Sequence, residues 1–266
     1  MGYELPQTGL ADLVWLGRVI KMVISIQHVT YAFEQDAPPV IANLNLDIKQ
    51  GEFVSIIGRS GTGKSTIFKL MTGLLTPDEG QILMDDRQIA PGDVGFMPQK
   101  DLLLPWRTIL ENVMIAAEIQ NNAMLTKEQA IVWLERVGLK EYIHAYPKEL
   151  SGGMRQRAAF LRALLTGKEV LLLDEPFGAL DTFTKKEMQT WLLSMWQQLK
   201  KTVLFITHDL EEAILLSDRI IILHQDKSIE DISVNLPRPR LGEMSYSESG
   251  IALRRMLERK ISSEMD

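Results

Sequence analysis

The run Phe53-Val54-Ser55-Ile56-Ile57-Gly58-Arg59-Ser60-Gly61-Thr62-Gly63-Lys64-Ser65 joins an apolar strand to a glycine-rich loop and then to residues suited to open a helix. Gly58 and Gly63 stand five positions apart and are followed at once by Lys and Ser, the phosphate-loop spacing. Glycines let the backbone fold close around an anion so that successive N–H groups converge on it at the positive end of a helix. Lys64 then reaches the outer phosphates as a mobile cation, and the Ser65 hydroxyl is placed to ligate Mg²⁺. Gly58, Arg59, Ser60, Gly61, Thr62, Gly63, Lys64, Ser65 and the adjoining Thr66 are the expected cradle. Its context, strand before and helix after, is what the mechanism requires of such a loop.

Outward from the loop, strands are expected over 23–26, 42–48, 81–84, 94–97, 170–173, 203–206 and 219–223, and helices over 64–75, 184–200 and 210–217. Between 108 and 166 apolar residues recur at helical spacing, as in Ile109, Val113, Ala116 and Ala117 and again in Ala130, Trp133, Leu134 and Val137. The pattern predicts a parallel sheet covered on both faces, interrupted by a helical insert. Residues 1–21 read as an N-terminal extension or, equally, as a short amphipathic helix packed on the domain. From Pro237 a proline-marked linker leads to one short charged helix.

Asp174 and Glu175 close the apolar strand at 170–173, where an open α/β sheet presents its ligands. Adjacent residues there point different ways. Asp174 is expected to face Mg²⁺ through its water shell, and Glu175 to face the water that attacks the terminal phosphate. His208 follows the strand at 203–206 and is placed to contact that phosphate and hold the water. Gln99, just past the strand at 94–97, is placed to reach the metal or the same water. His28, His144 and His224 lack such a placement and read as structural.

Composition narrows the classes. With a net charge of -6 the chain shows no basic surplus for gripping nucleic acid. Having no cysteine, it makes no disulfide, thiolate metal site or cysteine nucleophile. The apolar stretch over 10–26 is broken by Asp12, Arg18 and Lys21, a poor match to a membrane span or a secretion signal, so a cytosolic protein is expected.

The run Leu150-Ser151-Gly152-Gly153-Met154-Arg155-Gln156-Arg157 resembles the signature sequence of ATP-binding cassette (ABC) ATPases. Ser151 is a good helix N-cap, and the glycines leave N–H groups free at a helix start. The resemblance extends over roughly 24–239. It implies a phosphate-loop fold of ABC type: a mixed, mostly parallel sheet core with an antiparallel β subdomain, and a helical subdomain at about 100–166 inserted into a cassette spanning 22–240, with a helical tail over 241–266. It also implies ATP and Mg²⁺ as ligands and a second copy of the chain as partner, because the family's signature segment closes over the nucleotide of the other copy. Ser151, Gly152 and Gly153 are then the opposite half of a composite site. Gln99 is similar to the family's glutamine-loop residue, His208 to its switch histidine, and Asp181 in Gly178-Ala179-Leu180-Asp181 to the loop that crosses to the partner. Alignment with the adenine-stacking segment points to Phe33 as the aromatic platform, with Tyr31 as the alternative.

Within the family, Asp101-Leu102-Leu103-Leu104-Pro105-Trp106-Arg107 offers an apolar, proline-stiffened surface where transporters receive a short helix of their channel. On sequence grounds Trp106 is also readable as core. This segment, Asp174 to Asp181 and the Leu-Pro-Arg-Pro-Arg run at 236–240 resemble the bacterial importer branch for nitrate, alkanesulfonates, taurine and thiamine precursors. That branch implies a transmembrane permease docking near residues 99–113, an extracellular or periplasmic solute-binding protein acting through it, and a place at the cytoplasmic face of the membrane. An exporter or lipid-extraction cassette shares the catalytic motifs, and a soluble cassette acting on ribosomes or DNA is the remaining alternative.

Overall fold

Strands whose side chains are buried on both faces form the spine of the fold, and their order decides where the loops between them meet. The computed structural model describes residues 22–34, 36–119, 125–238, 240, 244 and 247–262; the expected N-terminal extension lies outside the described residues. In chain order the elements are β1 (Met22–Tyr31), β2 (Ile41–Lys49), β3 (Phe53–Ile57), α1 (Lys64–Met71), β4 (Glu79–Met84), β5 (Arg87–Gln88), β6 (Gly95–Met97), α2 (Ile109–Ile119), α3 (Lys127–Arg136), α4 (Gly152–Leu164), β7 (Val170–Asp174), α5 (Thr182–Leu199), β8 (Thr202–Ile206), α6 (Leu210–Leu216), β9 (Arg219–Leu223), β10 (Ile229–Ser233) and α7 (Glu248–Ser262).

The larger sheet runs β10-β9-β3-β8-β7-β6, with β9, β3, β8, β7 and β6 parallel and β10 antiparallel at one edge. A second, antiparallel sheet runs β2-β1-β4-β5. Every residue of β3, β7 and β8 is buried, as unbroken apolar runs require of strands covered on both faces. On one face Val54 and Ile56 of β3 pack with α1 and the antiparallel sheet. On the other, Phe53 meets Trp196 and Phe205 edge-on or tilted, at ring distances of 5.8 and 5.9 Å, in a core shared with α2 to α5.

The structure refines several boundaries. α1 stops at Met71, short of residue 75, because Gly73 turns the chain at φ 70°. The run expected to be helical almost throughout from 108 to 166 contains three α-helices, with two single 3₁₀ turns at Lys140–Tyr142 and Pro147–Glu149 before α4. β10 was not expected: its centre is acidic, and Asp231 is there to meet Arg219 of β9 at 2.6 Å. Of the linker expected from Pro237, Arg238 and Arg240 are held against the rest of the fold, Arg238 by Asp218 and the Leu216 carbonyl. Arg240 is buried and donates to the carbonyls of Ile214, Ser217, Val234 and Leu236, and burial pushes its pKa down to about 10. Beyond it, α7 packs Leu253, Leu257 and Ile261 with Ala213 and Ile214 of α6.

One buried side chain shapes the surface after Gln99. Asn112, fully buried in α2, accepts from Leu104 N at 2.7 Å and donates to the carbonyls of Leu104, Arg107 and Thr108 at 3.0–3.1 Å. Replacement by alanine leaves those groups unsatisfied, so Asn112→Ala is expected to lower stability by about 1–3 kcal/mol, read as a lower urea midpoint at unchanged slope.

Candidate active site

The expected site residues come from loops at the carboxyl ends of four parallel strands. Gly58 follows β3, Gln99 follows β6, Asp174 ends β7 with Glu175 next, and His208 follows β8. Such an edge is where a parallel sheet offers a crevice. A cavity of about 340 Å³ lies there, lined by Phe33, Ser60, Gly61, Gly63, Lys64, Ser65, Thr66, Gln99, Glu175 and His208.

The loop is shaped by two glycines that admit no side chain. At Gly58 (φ 152°) a Cβ would collide with the Leu223 carbonyl oxygen, and at Gly63 (φ 112°) it would lie 2.7 Å from Ile41 Cδ1. Gly63 stands at the N-cap of α1, where no side chain caps the helix, so the first-turn N–H groups remain available to an anion. The Thr62 hydroxyl donates to Arg59 O at 3.0 Å and braces the turn. Lys64 Nζ donates to Gly58 O at 2.9 Å and Arg59 O at 2.7 Å, arched over its own loop. Burial holds the Lys64 ammonium below its usual pKa, against the pull of Glu175 and Asp174.

Asp174 is 3% exposed, and its Oδ1 is buried without a hydrogen-bond partner. Burial raises its pKa, opposed by hydrogen bonding to Ser65. An orphaned carboxylate oxygen beside a serine hydroxyl at the foot of a phosphate loop fits a hard cation that keeps most of its waters. Among the described residues no cluster of three or more His, Cys, Asp or Glu is placed to hold a metal by itself, and a magnesium ion carried with phosphates needs none.

Glu175 takes its place at an energetic cost. Its φ is 51°, a left-handed backbone that costs a non-glycine residue on the order of 1–3 kcal/mol. The twist turns the carboxylate into the cavity, where Oε2 accepts from Gln99 Nε2 at 3.0 Å and Oε1 lies 2.5 Å from His208 Nε2. Phe33 is 60% exposed at the cavity wall and meets Tyr31 edge-on at 5.3 Å; Tyr31 does not line the cavity.

Four expected residues stand apart from this cavity. Ser151 caps α4, accepting from Met154 N at 3.3 Å, with Gly152 and Gly153 in the first turn. Asp181 caps α5, accepting from Phe183 N and Thr184 N at 3.1 and 3.2 Å, and hydrogen bonding to Thr184 first of all holds its carboxyl below the usual range. Both helix starts are exposed.

Sequence reasoning missed the residues that support the site from behind. Lys185 Nζ lies 2.7 Å from Asp209 Oδ2 and 2.6 Å from Glu212 Oε1, and Glu212 also takes the Thr207 hydroxyl. This network fixes the segment that carries His208. Burial pushes the Glu212 carboxyl up, although Lys185 and Thr207 resist. Asp209, the N-cap of α6, and Glu212 in its first turn stand close in sequence, but nothing in the sequence places Lys185 of α5 against them.

The family profile described as ABC transporter matches residues 41–178. The formylaminopyrimidine import ATP-binding protein ThiZ of Halalkalibacterium halodurans is 44% identical over 246 residues, 91% of this chain and 96% of that one. The aliphatic sulfonates import ATP-binding protein SsuB of Bacillus cereus is 44% identical over 225 residues, 82% of this chain and 89% of that one. A solved ATP-binding cassette, dimeric in a post-hydrolysis state with ADP and Pi, superposes with a TM-score of 0.72 at 30% identity, covering 80% of this chain and all of the other. With its phosphate loop, its paired carboxylates and these relatives, this chain belongs to the ABC transporter family, as an ATP-hydrolysing subunit of the import branch.

Proposed function

We propose that the chain works as half of a head-to-tail dimer at the cytoplasmic face of a bacterial membrane, hydrolysing ATP between two copies to drive a permease. The observation that carries this reading is the Glu175 carboxylate, held between Gln99 and His208 at the mouth of a cavity whose floor is Lys64 and Ser65. A carboxylate fixed by two neighbours opposite a phosphate cradle is suited to take a proton from water while the leaving phosphates are held.

Each residue then has a task. The first-turn N–H groups of α1 and the Lys64 ammonium take the phosphates, and Lys64 exchanges its two loop carbonyls for phosphate oxygens. Phe33 offers its exposed face to the base. Glu175 orients the attacking water and receives its proton; His208 and Gln99 keep the carboxylate aimed. Ser65, Asp174 and Gln99 are the residues to hold Mg²⁺, which supplies neutralisation of charge on the phosphates when bound. Ser151 and Gly152, exposed at the start of α4, with the half-buried Gly153 next to them, are suited to meet the partner's terminal phosphate, and Asp181 to cross the dimer interface. The cassette in this reading spans 22–240, with its helical part at about 100–166 and a helical tail after 240.

The docking surface rests on Trp106, 70% exposed, beside Leu102, 59% exposed. The alternative in which Trp106 fills the core is thereby set aside. An indole and a leucine in water on a loop pinned by Asn112 suit an apolar helix of a permease, and an external solute-binding protein would deliver a small solute to that permease. Both reported relatives are named for import, which favours a sulfonate-like, nitrate-like or thiamine-precursor-like solute over export.

Glu175→Gln is expected to leave ATP affinity near native and to slow turnover by roughly 10²–10⁴-fold, measured by phosphate release; native turnover would overturn the assignment. Lys64→Ala is expected to weaken ATP binding itself in calorimetry. Trp106→Ser should leave the isolated chain's ATPase rate unchanged and abolish co-purification with its permease partner, whereas full retention would remove the docking surface.

A further inference from the structure

Gln156 lies one turn inside α4, is 6% exposed, and makes two hydrogen bonds that the proposed reaction does not use. Its Nε2 donates to the Glu175 carbonyl oxygen at 2.9 Å, and its Oε1 accepts from Ala179 N at 2.9 Å. The two partners fix the orientation of the amide, since a carbonyl needs a donor and an N–H an acceptor. The left-handed backbone of Glu175 is secured on its other sides by Glu175 N donating to Ile206 O at 3.0 Å and Gly178 N donating to Glu175 O at 3.2 Å. A twisted residue of this kind persists only where its surroundings over-determine it. Of the groups that do so, Gln156 supplies the side-chain contribution, reaching from a different element to both Glu175 and the loop that leads to Asp181.

We propose that Gln156 is a positioning residue for Glu175: its amide locks the twisted backbone that aims the carboxylate at Gln99 and His208. The inference rests on the reading of Glu175 as general base. Gln156→Met keeps length and apolar stem but breaks both hydrogen bonds. Gln156→Glu keeps the acceptor for Ala179 N and loses the donor to Glu175.

The test measures kcat, KM and ATP affinity of the full chain carrying each variant, alone and combined with Glu175→Gln, with thermal melting as a check on folding. Misplacing a reacting group by an ångström is worth up to about 10²-fold in rate, so Gln156→Met is expected to lower kcat roughly 10–10²-fold with KM and ATP affinity within about twofold. In the Glu175→Gln background the same change should cost no more than about twofold, because the group it positions is already disabled. Gln156→Glu should follow Gln156→Met, and it carries the test if Gln156→Met melts below assay temperature. An equal loss in both backgrounds would make Gln156 merely structural and overturn the proposal, as would a change in KM alone. Native turnover of the Gln156 variants beside a slow Glu175→Gln overturns this inference only, while native turnover of Glu175→Gln itself overturns the base assignment and this inference with it.

Discussion

Much of the molecule depends on the close approach of β3 to β9. Ser55 pairs with Ile220 and Ile57 with Ile222 in a parallel ladder, so the chain leaves β3 with the Leu223 carbonyl directly against Gly58. Only a residue without Cβ passes that point, and the loop that follows is forced to curl over the strand ends. β8 and β7 lie on the other side of β3 in the same parallel sense. Their carboxyl ends therefore deliver Asp174, Glu175 and His208 to the same edge. The site is a consequence of strand order: residues more than a hundred positions apart meet because buried parallel strands end together.

The charges gathered there are buried and strained. Lys64 is buried and donates to two loop carbonyls, and Asp174 is buried with one oxygen unpaired among the described residues. Burial disfavours the charged form of each, lowering the one pKa and raising the other. A phosphate chain accompanied by a hard cation, as proposed, would resolve both at once, giving Lys64 stronger acceptors and Asp174 a positive neighbour. Burial is then an advantage, since charge interactions gain strength where water is excluded.

Much of this was legible in the sequence, and the limits were physical. Phosphate-loop spacing and the apolar runs of β3, β7 and β8 act locally, so they showed through residue type alone. Arg240 was misread as linker because its partners are four backbone carbonyls, which carry no sequence signature. β10 was hidden because Asp231 answers an arginine on β9 rather than a periodicity of its own. Trp106 was expected at a surface with core as the lesser alternative, because an indole beside helical repeats suits either; Asn112, which holds the loop from beneath, accompanies a ring that is 70% exposed. The twist of Glu175 was invisible for a related reason, as a left-handed glutamate is imposed by its neighbours.

α4 gathers these separate features onto one rigid element. Its N-terminus presents Ser151 and Gly152 outward, and one turn later Gln156 grips Glu175. On a neighbouring face Arg155 Nε meets Asp101 Oδ2 at 3.0 Å, and Arg162 donates to the carbonyls of Asp101 and Leu102 at 2.7 and 2.8 Å. The segment bearing Leu102 and Trp106 is thus tied by three hydrogen bonds to the helix that holds Glu175. A helix of this length moves as a body, with its own backbone hydrogen bonds resisting any local change. In the proposed dimer, a partner seated on Leu102 and Trp106 would press on the same element that meets one nucleotide through Ser151 and, through Gln156, holds the backbone of Glu175 beside the other, so the residues from Ser151 to Arg162 would be a common mechanical part of transport and hydrolysis.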